Sequence, residues 1–126
     1  MDGESDGEAI RNLIADYCIE ADAGNADSWS ALFAPGAPLR IGKSEQAAGP
    51  EALKTWFTDR DMPAVTHVAG NVRVGISGNS AVGRADFIAV NERMAIGAKG
   101  SYHATFTKTD GRWKIASWHI EVAKPR

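Results

Sequence analysis

The sequence predicts an α+β fold in which three N-terminal helices pack in the concave face of a strongly curved, mostly antiparallel sheet. Three observations lead there. The N-terminal half carries apolar side chains at helical spacing, whereas the second half alternates with a period of two. Helices come first and strands joined by tight turns follow, which is the order of α+β chains rather than of alternating parallel α/β ones. Finally, 126 residues, 44% hydrophobic and 24% charged, suit one domain that buries a core without staples.

The elements follow in order. Met1 to Gly7 is acidic and reads as a flexible leader, with a single domain over residues 8–124. Ser5 and Glu8 have the spacing of a capping box. Behind them Ile10, Leu13, Ile14, Tyr17, Cys18 and Ala21 form one apolar stripe on an amphipathic helix, which Gly24-Asn25 ends. A shorter helix starts near Asn25 or Asp27, buries Trp29, Leu32 and Phe33, and stops before Pro35-Gly36. Ala37 to Gly42 is a short strand and Lys43 to Gly49 a polar loop. Pro50 suits the first turn of a third helix, where a missing N–H costs nothing. Leu53, Trp56 and Phe57 give that helix its buried face, and Asp59-Arg60-Asp61-Met62-Pro63 breaks it.

Strands are expected over Val65–Ile76, Ala81–Val90, Gly97–Lys108 and Arg112–Val122. Ser77-Gly78-Asn79-Ser80 and Asp110-Gly111 are hairpin turns, and Asn91 to Ile96 is a looser connection.

Composition narrows the function classes. A net charge of −2 leaves no basic footprint, so no nucleic-acid partner is expected. Cys18 is the only cysteine, which excludes an intrachain disulfide and a cysteine zinc site. Three histidines on three strands lack metal-ligand spacing, so neither metal nor cofactor is expected. No apolar run approaches spanning length and no signal peptide is visible, so no membrane partner and a cytoplasmic location are expected.

Two residues stand out. His67 heads a valine-rich strand, and Asp22 closes the first helix. A carboxylate beside an imidazole orients the ring and makes it a competent base. Taken alone, His67 is more often a structural strand histidine than a base, and Asp22 is as well explained by turn chemistry. Yet the helix dipole disfavours a carboxylate at a C-terminus, so Asp22 calls for another reason. Alternation sets a condition as well. His67 has the parity opposite to Val68, Val72, Val74 and Ile76, and a β-bulge near Gly70 would put His67 and Ala69 on the same face as Val72, Val74 and Ile76. Four further residues are candidates for substrate binding. Tyr17 lies on the apolar stripe, with a hydroxyl that could reach a cavity. His103 is mid-strand, facing pocket or solvent. Asp86 is a pocket acid or the cross-strand partner of Arg84 or Arg73. Trp118 is a lining residue, with His119 turned away.

Together these stretches resemble the nuclear transport factor 2-like (SnoaL-like) superfamily, a cone of bent sheet closed by helices. The resemblance spans Glu8 to Val122. It rests on the helix ending Asp22-Ala-Gly-Asn-Ala-Asp, on Trp29-Ser-Ala-Leu-Phe33, on Gly49-Pro50-Glu51-Ala52-Leu53, and on Gly100-Ser-Tyr102 leading to Phe106-Thr-Lys-Thr-Asp-Gly-Arg-Trp-Lys-Ile115. Within it, Asp22 and His67 look like the catalytic pair of scytalone dehydratase and hexachlorocyclohexane dehydrochlorinase. The spacing of His67-Val-Ala-Gly-Asn71 is similar to the second of these. Tyr17 and Asp22 have the five-residue spacing of bile-acid dehydratases. Tyr17 also matches the oxyanion tyrosine of ketosteroid isomerase, whose general base falls here near Arg40-Ile41, a departure from that mechanism. Ile41-Gly42-Lys43 stand where scytalone dehydratase has a tyrosine.

The resemblance implies a cofactor-independent lyase of dehydratase type, in which an Asp22–His67 dyad takes a carbon-bound proton from a small cyclic or aromatic, largely apolar substrate. The alternatives are an isomerase or polyketide cyclase with the same base, and a non-catalytic ligand-binding or subunit-interaction module. A homodimer through the outer sheet face is expected by analogy.

Overall fold

The computed structural model describes residues 4–60 and 64–124. Met1 to Gly3 of the expected leader, and Asp61 to Pro63 of the expected helix break, lie outside the described residues.

Helix α1 runs Asp6–Ala23. Ser5 caps it, its hydroxyl accepting the Glu8 N–H at 3.2 Å and donating to the Glu8 carboxylate at 3.2 Å. The buried side chains are Ile10, Leu13, Ile14, Tyr17 and Cys18, the stripe that the spacing predicts. Left-handed Gly24 (φ 71°) closes the helix by donating to Ala21 and Glu20 carbonyls. The boundary expected after Gly7 falls inside this helix. Asp6 begins it, and its carboxylate accepts hydrogen bonds from the Trp113 indole (2.8 Å) and the Lys108 ammonium (3.0 Å). These bonds, the indole's foremost, hold the Asp6 carboxyl below the usual carboxylate range.

Helix α2 (Ala26–Ser30) is short, and Phe33 beyond it forms an isolated bridge to Ile115. Strand β1 (Pro38–Ile41) pairs antiparallel with β2 (Ser44–Ala48), so part of the expected polar loop is a strand. It is polar because it lies at the sheet edge and pairs on one side only. Helix α3 (Pro50–Asp59) starts at its proline as predicted. Strands β3 (Val65–Ser77), β4 (Ser80–Asn91), β5 (Ile96–Thr109) and β6 (Arg112–Val122) form the meander. The sheet order is β2-β1-β6-β5-β4-β3, with β1 parallel to β6 and the other pairs antiparallel. The three helices pack on the concave side of this curved sheet, as the sequence predicts.

Inner and outer faces differ in size as well as polarity. On β4 the inward residues are Ala81, Gly83, Ala85, Phe87 and Ala89, mostly small. A Cβ at Gly83 would meet the Phe106 ring at 3.0 Å and Ile14 at 3.6 Å. Outward on the same strand stand Val82, Arg84, Asp86 and Ile88. Among the described residues no helix is long and apolar enough to cross a membrane.

Gly100 marks the tightest backbone approach, where β5 passes between Phe87 of β4 and Val122 of β6. A Cβ there would sit 2.0 Å from the Glu121 carbonyl and 2.9 Å from the Phe87 ring, so the strands must part to admit it. Gly100→Ala is therefore expected to cost about 1–3 kcal/mol in denaturant unfolding. Gly75→Ala, whose Cβ meets only Val82 at 3.6 Å, should stay within about 0.5 kcal/mol.

Candidate active site

The site is built where the last turn of α1 meets the start of β3. Asp22 is the penultimate residue of α1, held in place by the left-handed cap that follows. His67 enters β3 opposite Ala89 of β4 and faces inward. The Asp22 carboxylate takes hold of it at two points. One oxygen accepts the backbone N–H of His67 at 2.7 Å, and the other lies 2.6 Å from Nδ1 of the ring. An ionised carboxylate can only accept, so Nδ1 carries a proton, and in the neutral imidazole Nε2 then keeps its lone pair. The two side chains remain 20% and 25% exposed, so the pair is sheltered but reachable from solvent.

The inward orientation of His67 depends on a backbone irregularity. The β3–β4 register shifts between Gly70 and Arg73, so that Asn71 and Val72 together face Ala85 alone. Asn71 has φ 51°, in the left-handed region. Before the shift, His67 and Ala69 point inward; after it, Val72 and Val74 do. The bulge that alternation requires near Gly70 is present.

Aromatic rings make the floor beneath the pair. Phe87 lies 6.3 Å from the His67 ring, centroid to centroid, and stacks on Tyr102 at 4.5 Å. Tyr102 meets Tyr17 edge-on at 5.5 Å, and Tyr17 stacks on Trp118 at 4.0 Å. Burial pushes the hydroxyls of Tyr17 and Tyr102 well above the ordinary phenol range, so both are permanent donors and not bases. Cys18 lies beside the Tyr102 hydroxyl, and burial pushes its thiol up to about 11. Trp118 is only 1% exposed, and its indole N–H is buried without a partner among the described residues. It supports the floor from below instead of lining open space.

Two of the expected binding residues belong to the other side of the sheet. His103 points outward, because Tyr102, Ala104 and Phe106 take the inward positions of β5. Its Nε2 lies 3.0 Å from the Ser101 hydroxyl. Asp86 also points outward, bonded to Arg84 at 2.7 Å and to the Asn71 amide at 2.9 Å. These bonds, that of Arg84 foremost, hold the Asp86 carboxyl below its usual range. His119, expected to face away, does so, with Nε2 2.9 Å from the Gly42 carbonyl and 2.8 Å from Glu121.

Sequence reasoning missed Tyr102, Phe87 and Arg60. Tyr102 was legible, since it shares parity with Ala104 and Phe106. Arg60 caps α3, and its guanidinium lies 4.1 Å over the Trp56 ring. It is half-buried, and desolvation lowers its pKa. Two surface clefts lie away from the dyad. One, of about 480 Å³, opens on the convex face over Arg84, Lys99 and Glu121; the other, of about 340 Å³, sits beside Asp6, Asp16 and Trp113. Among the described residues no three His, Cys, Asp or Glu side chains are grouped to hold a metal ion.

The sequence model of the SnoaL-like domain matches residues 5–119. The chain belongs to the SnoaL-like family. Solved structures of the SnoaL-like fold superpose over nearly its full length. A protein of unknown function with a cystatin-like fold from Nostoc punctiforme is 21% identical, with 98% of this chain and 96% of that one covered and a TM-score of 0.86. A scytalone dehydratase-like protein from Novosphingobium aromaticivorans is 21% identical, with coverage of 94% and 84% and a TM-score of 0.79. A hexachlorocyclohexane dehydrochlorinase from Novosphingobium barchaimii is 16% identical, with coverage of 94% and 86% and a TM-score of 0.82. At such identities the likeness is one of fold. Among curated proteins no significant match was found.

The burial of Cys18 under the floor gives a direct check on its packing. At pH 8, a thiol raised to about 11 reacts through roughly a hundredfold less thiolate than one at its ordinary value near 9. Alkylation by iodoacetamide should be slower than that of free cysteine by about that factor, and unfolding in denaturant should remove the difference. A native rate within tenfold of free cysteine would mean that the floor is open.

Proposed function

We propose that the protein is a cofactor-independent lyase of the elimination type. His67, held by Asp22, removes a carbon-bound proton from a small cyclic or aromatic, largely apolar substrate. The observation that carries this reading is the two-point hold of one carboxylate on the ring and backbone of His67, which leaves Nε2 as proton acceptor. A carbon next to a carbonyl gives its proton to Nε2. The electron pair left behind forms the new double bond through an enolate, while the bond to a β-hydroxyl or halide breaks with its electrons. A departing hydroxide takes a proton from the imidazolium and leaves as water. Tyr17 and Tyr102 supply neutral hydroxyl donors for the oxyanion, and the aromatic floor provides apolar contact for a ring. Two of the solved relatives support the reading by name, one a dehydratase-like protein and the other a dehydrochlorinase.

The test begins with a panel of cyclic β-hydroxy and β-halo carbonyl compounds. On any substrate found, His67→Ala and Asp22→Asn should each lower kcat by about 10²–10⁴-fold, with circular dichroism unchanged. Full activity in either variant sinks the mechanism. An isomerase or cyclase with the same base would return the proton. Solvent deuterium entering the product without loss of water or halide therefore favours that reading.

We also propose a cytoplasmic homodimer joined through the convex sheet face. Val68 and Val82 are exposed there beside the Arg84–Asp86 pair. Sedimentation velocity should give twice the monomer mass at micromolar concentration, and Val82→Lys should shift it to monomer. A wild-type monomer throughout would refute the interface.

A further inference from the structure

We propose that Asn71, Asp86 and Arg84 form a clamp on the convex face that holds the β3 bulge and so decides which way His67 points. The catalytic consequence rests on the reading of His67 as a base; the clamp itself does not.

Hydrophobic pattern alone favours another arrangement. Val68, Val72 and Val74 share one parity, and an unbroken strand would bury all three while turning His67 to the outside. In the bulged strand Val68 is instead 51% exposed, so apolar surface is given up to bring His67 in. Something must hold the irregular backbone against that preference.

The clamp supplies the hold. The left-handed φ of 51° falls on Asn71, and asparagine is among the few non-glycine residues that tolerate it. A bulge also takes backbone groups out of the strand ladder. The Asn71 carbonyl accepts from Arg84 Nη1 at 3.1 Å, and the Val72 carbonyl from Arg11 Nη1 of α1 at a longer 3.4 Å. The Asn71 side-chain amide donates to Asp86 Oδ2 at 2.9 Å, and Arg84 Nη2 donates to Asp86 Oδ1 at 2.7 Å. Three side chains and one carbonyl thus close a ring at the point where the register shifts. Arg84 and Asp86 are two apart on β4, so one strand supplies both jaws on one face. With Asp22 gripping His67 at the other end, the segment from 67 to 72 is fixed at both ends.

Asn71, Asp86 and Arg84 are therefore positioning residues, and they touch His67 only through the backbone. The test follows the His67 amide, which donates to Asp22, and its ring nitrogens. Asn71→Val disfavours the left-handed φ and completes the valine row. Asp86→Ala removes the central acceptor at a half-buried position, and Asn71→Gly keeps the backbone freedom. Amide hydrogen exchange and ¹⁵N imidazole shifts are recorded for each folded variant. In Asn71→Val and Asp86→Ala, His67 N–H exchange should rise at least tenfold and the Nδ1-protonated signature should be lost. Protection across β4–β5 should hold, and Asn71→Gly should stay nearer wild type than Asn71→Val. Where Asn71→Val does not fold, Asp86→Ala decides. Unchanged His67 protection and shifts in Asp86→Ala would overturn the clamp, as would uniform loss of protection in both strand pairs. None of these readouts needs turnover, so an inactive protein with the expected exchange pattern would count against the lyase reading and leave the clamp standing.

Discussion

One carboxylate ties the helical layer to the sheet at the site. Asp22 sits in the last turn of α1, where the helix dipole repels negative charge, and spends both oxygens on a residue of β3. For a partly exposed pair such bonds contribute on the order of 1–3 kcal/mol, a modest return for an unfavourable location. What the carboxylate adds is orientation: it fixes the imidazole in one tautomer, pins its backbone, and leaves one nitrogen with a lone pair. Local rules are broken twice within this small region, at the helix end and at the left-handed Asn71. Such violations concentrate where function overrides local preference.

The floor beneath the dyad follows from the same economy. Tyr17, Tyr102 and Trp118 come from α1, β5 and β6, three elements that meet only in the closed fold. Their burial is strong enough to keep both tyrosines protonated throughout the working range of a histidine base. Roles are thereby separated by environment. The imidazole, reachable from solvent, can exchange protons; the phenols beneath it stay protonated.

Periodicity made most of the fold legible, and face assignment was where it fell short. The apolar stripe of α1, the proline start of α3 and the strand meander all carry strong local signals. Strand β2 was hidden because Ser44-Glu45-Gln46 reads as loop, and an edge strand has little apolar side to betray it. Asp86, read as a pocket acid or as the partner of Arg84 or Arg73, takes the second role, bonded to Arg84 at 2.7 Å on the outer face, and its pocket reading fails for an instructive reason. On β4 the aliphatic residues Val82 and Ile88 point outward, while alanine, glycine and Phe87 line the inside, and at Gly83 the Phe106 ring and Ile14 leave little room for a larger side chain. Reading the bigger apolar residues as the buried set inverts the strand. His103 fell to the same ambiguity, although the aromatic alternation of Tyr102 and Phe106 marks the inward face of β5. The dyad was legible because its requirement could be stated in advance: His67 faces inward only across a bulge, and the bulge is there.

The two faces of the sheet are coupled through β3. The concave side holds the imidazole, and the convex side holds the ring of Asn71, Asp86 and Arg84 that sets its direction. In one chain the Arg84–Asp86 pair is 36% and 47% exposed, a setting in which ion pairs are screened and weak. A second copy seated on the convex face would take that pair out of water. Its mutual attraction would strengthen while its hydrogen bonds to Asn71 remain in place. Association on the outer face would then stiffen the backbone that aims His67 on the inner one. By reciprocity, whatever loosens the bulge weakens association by the same free energy. Asp86, which touches neither the imidazole nor the floor, is the residue through which the two would communicate.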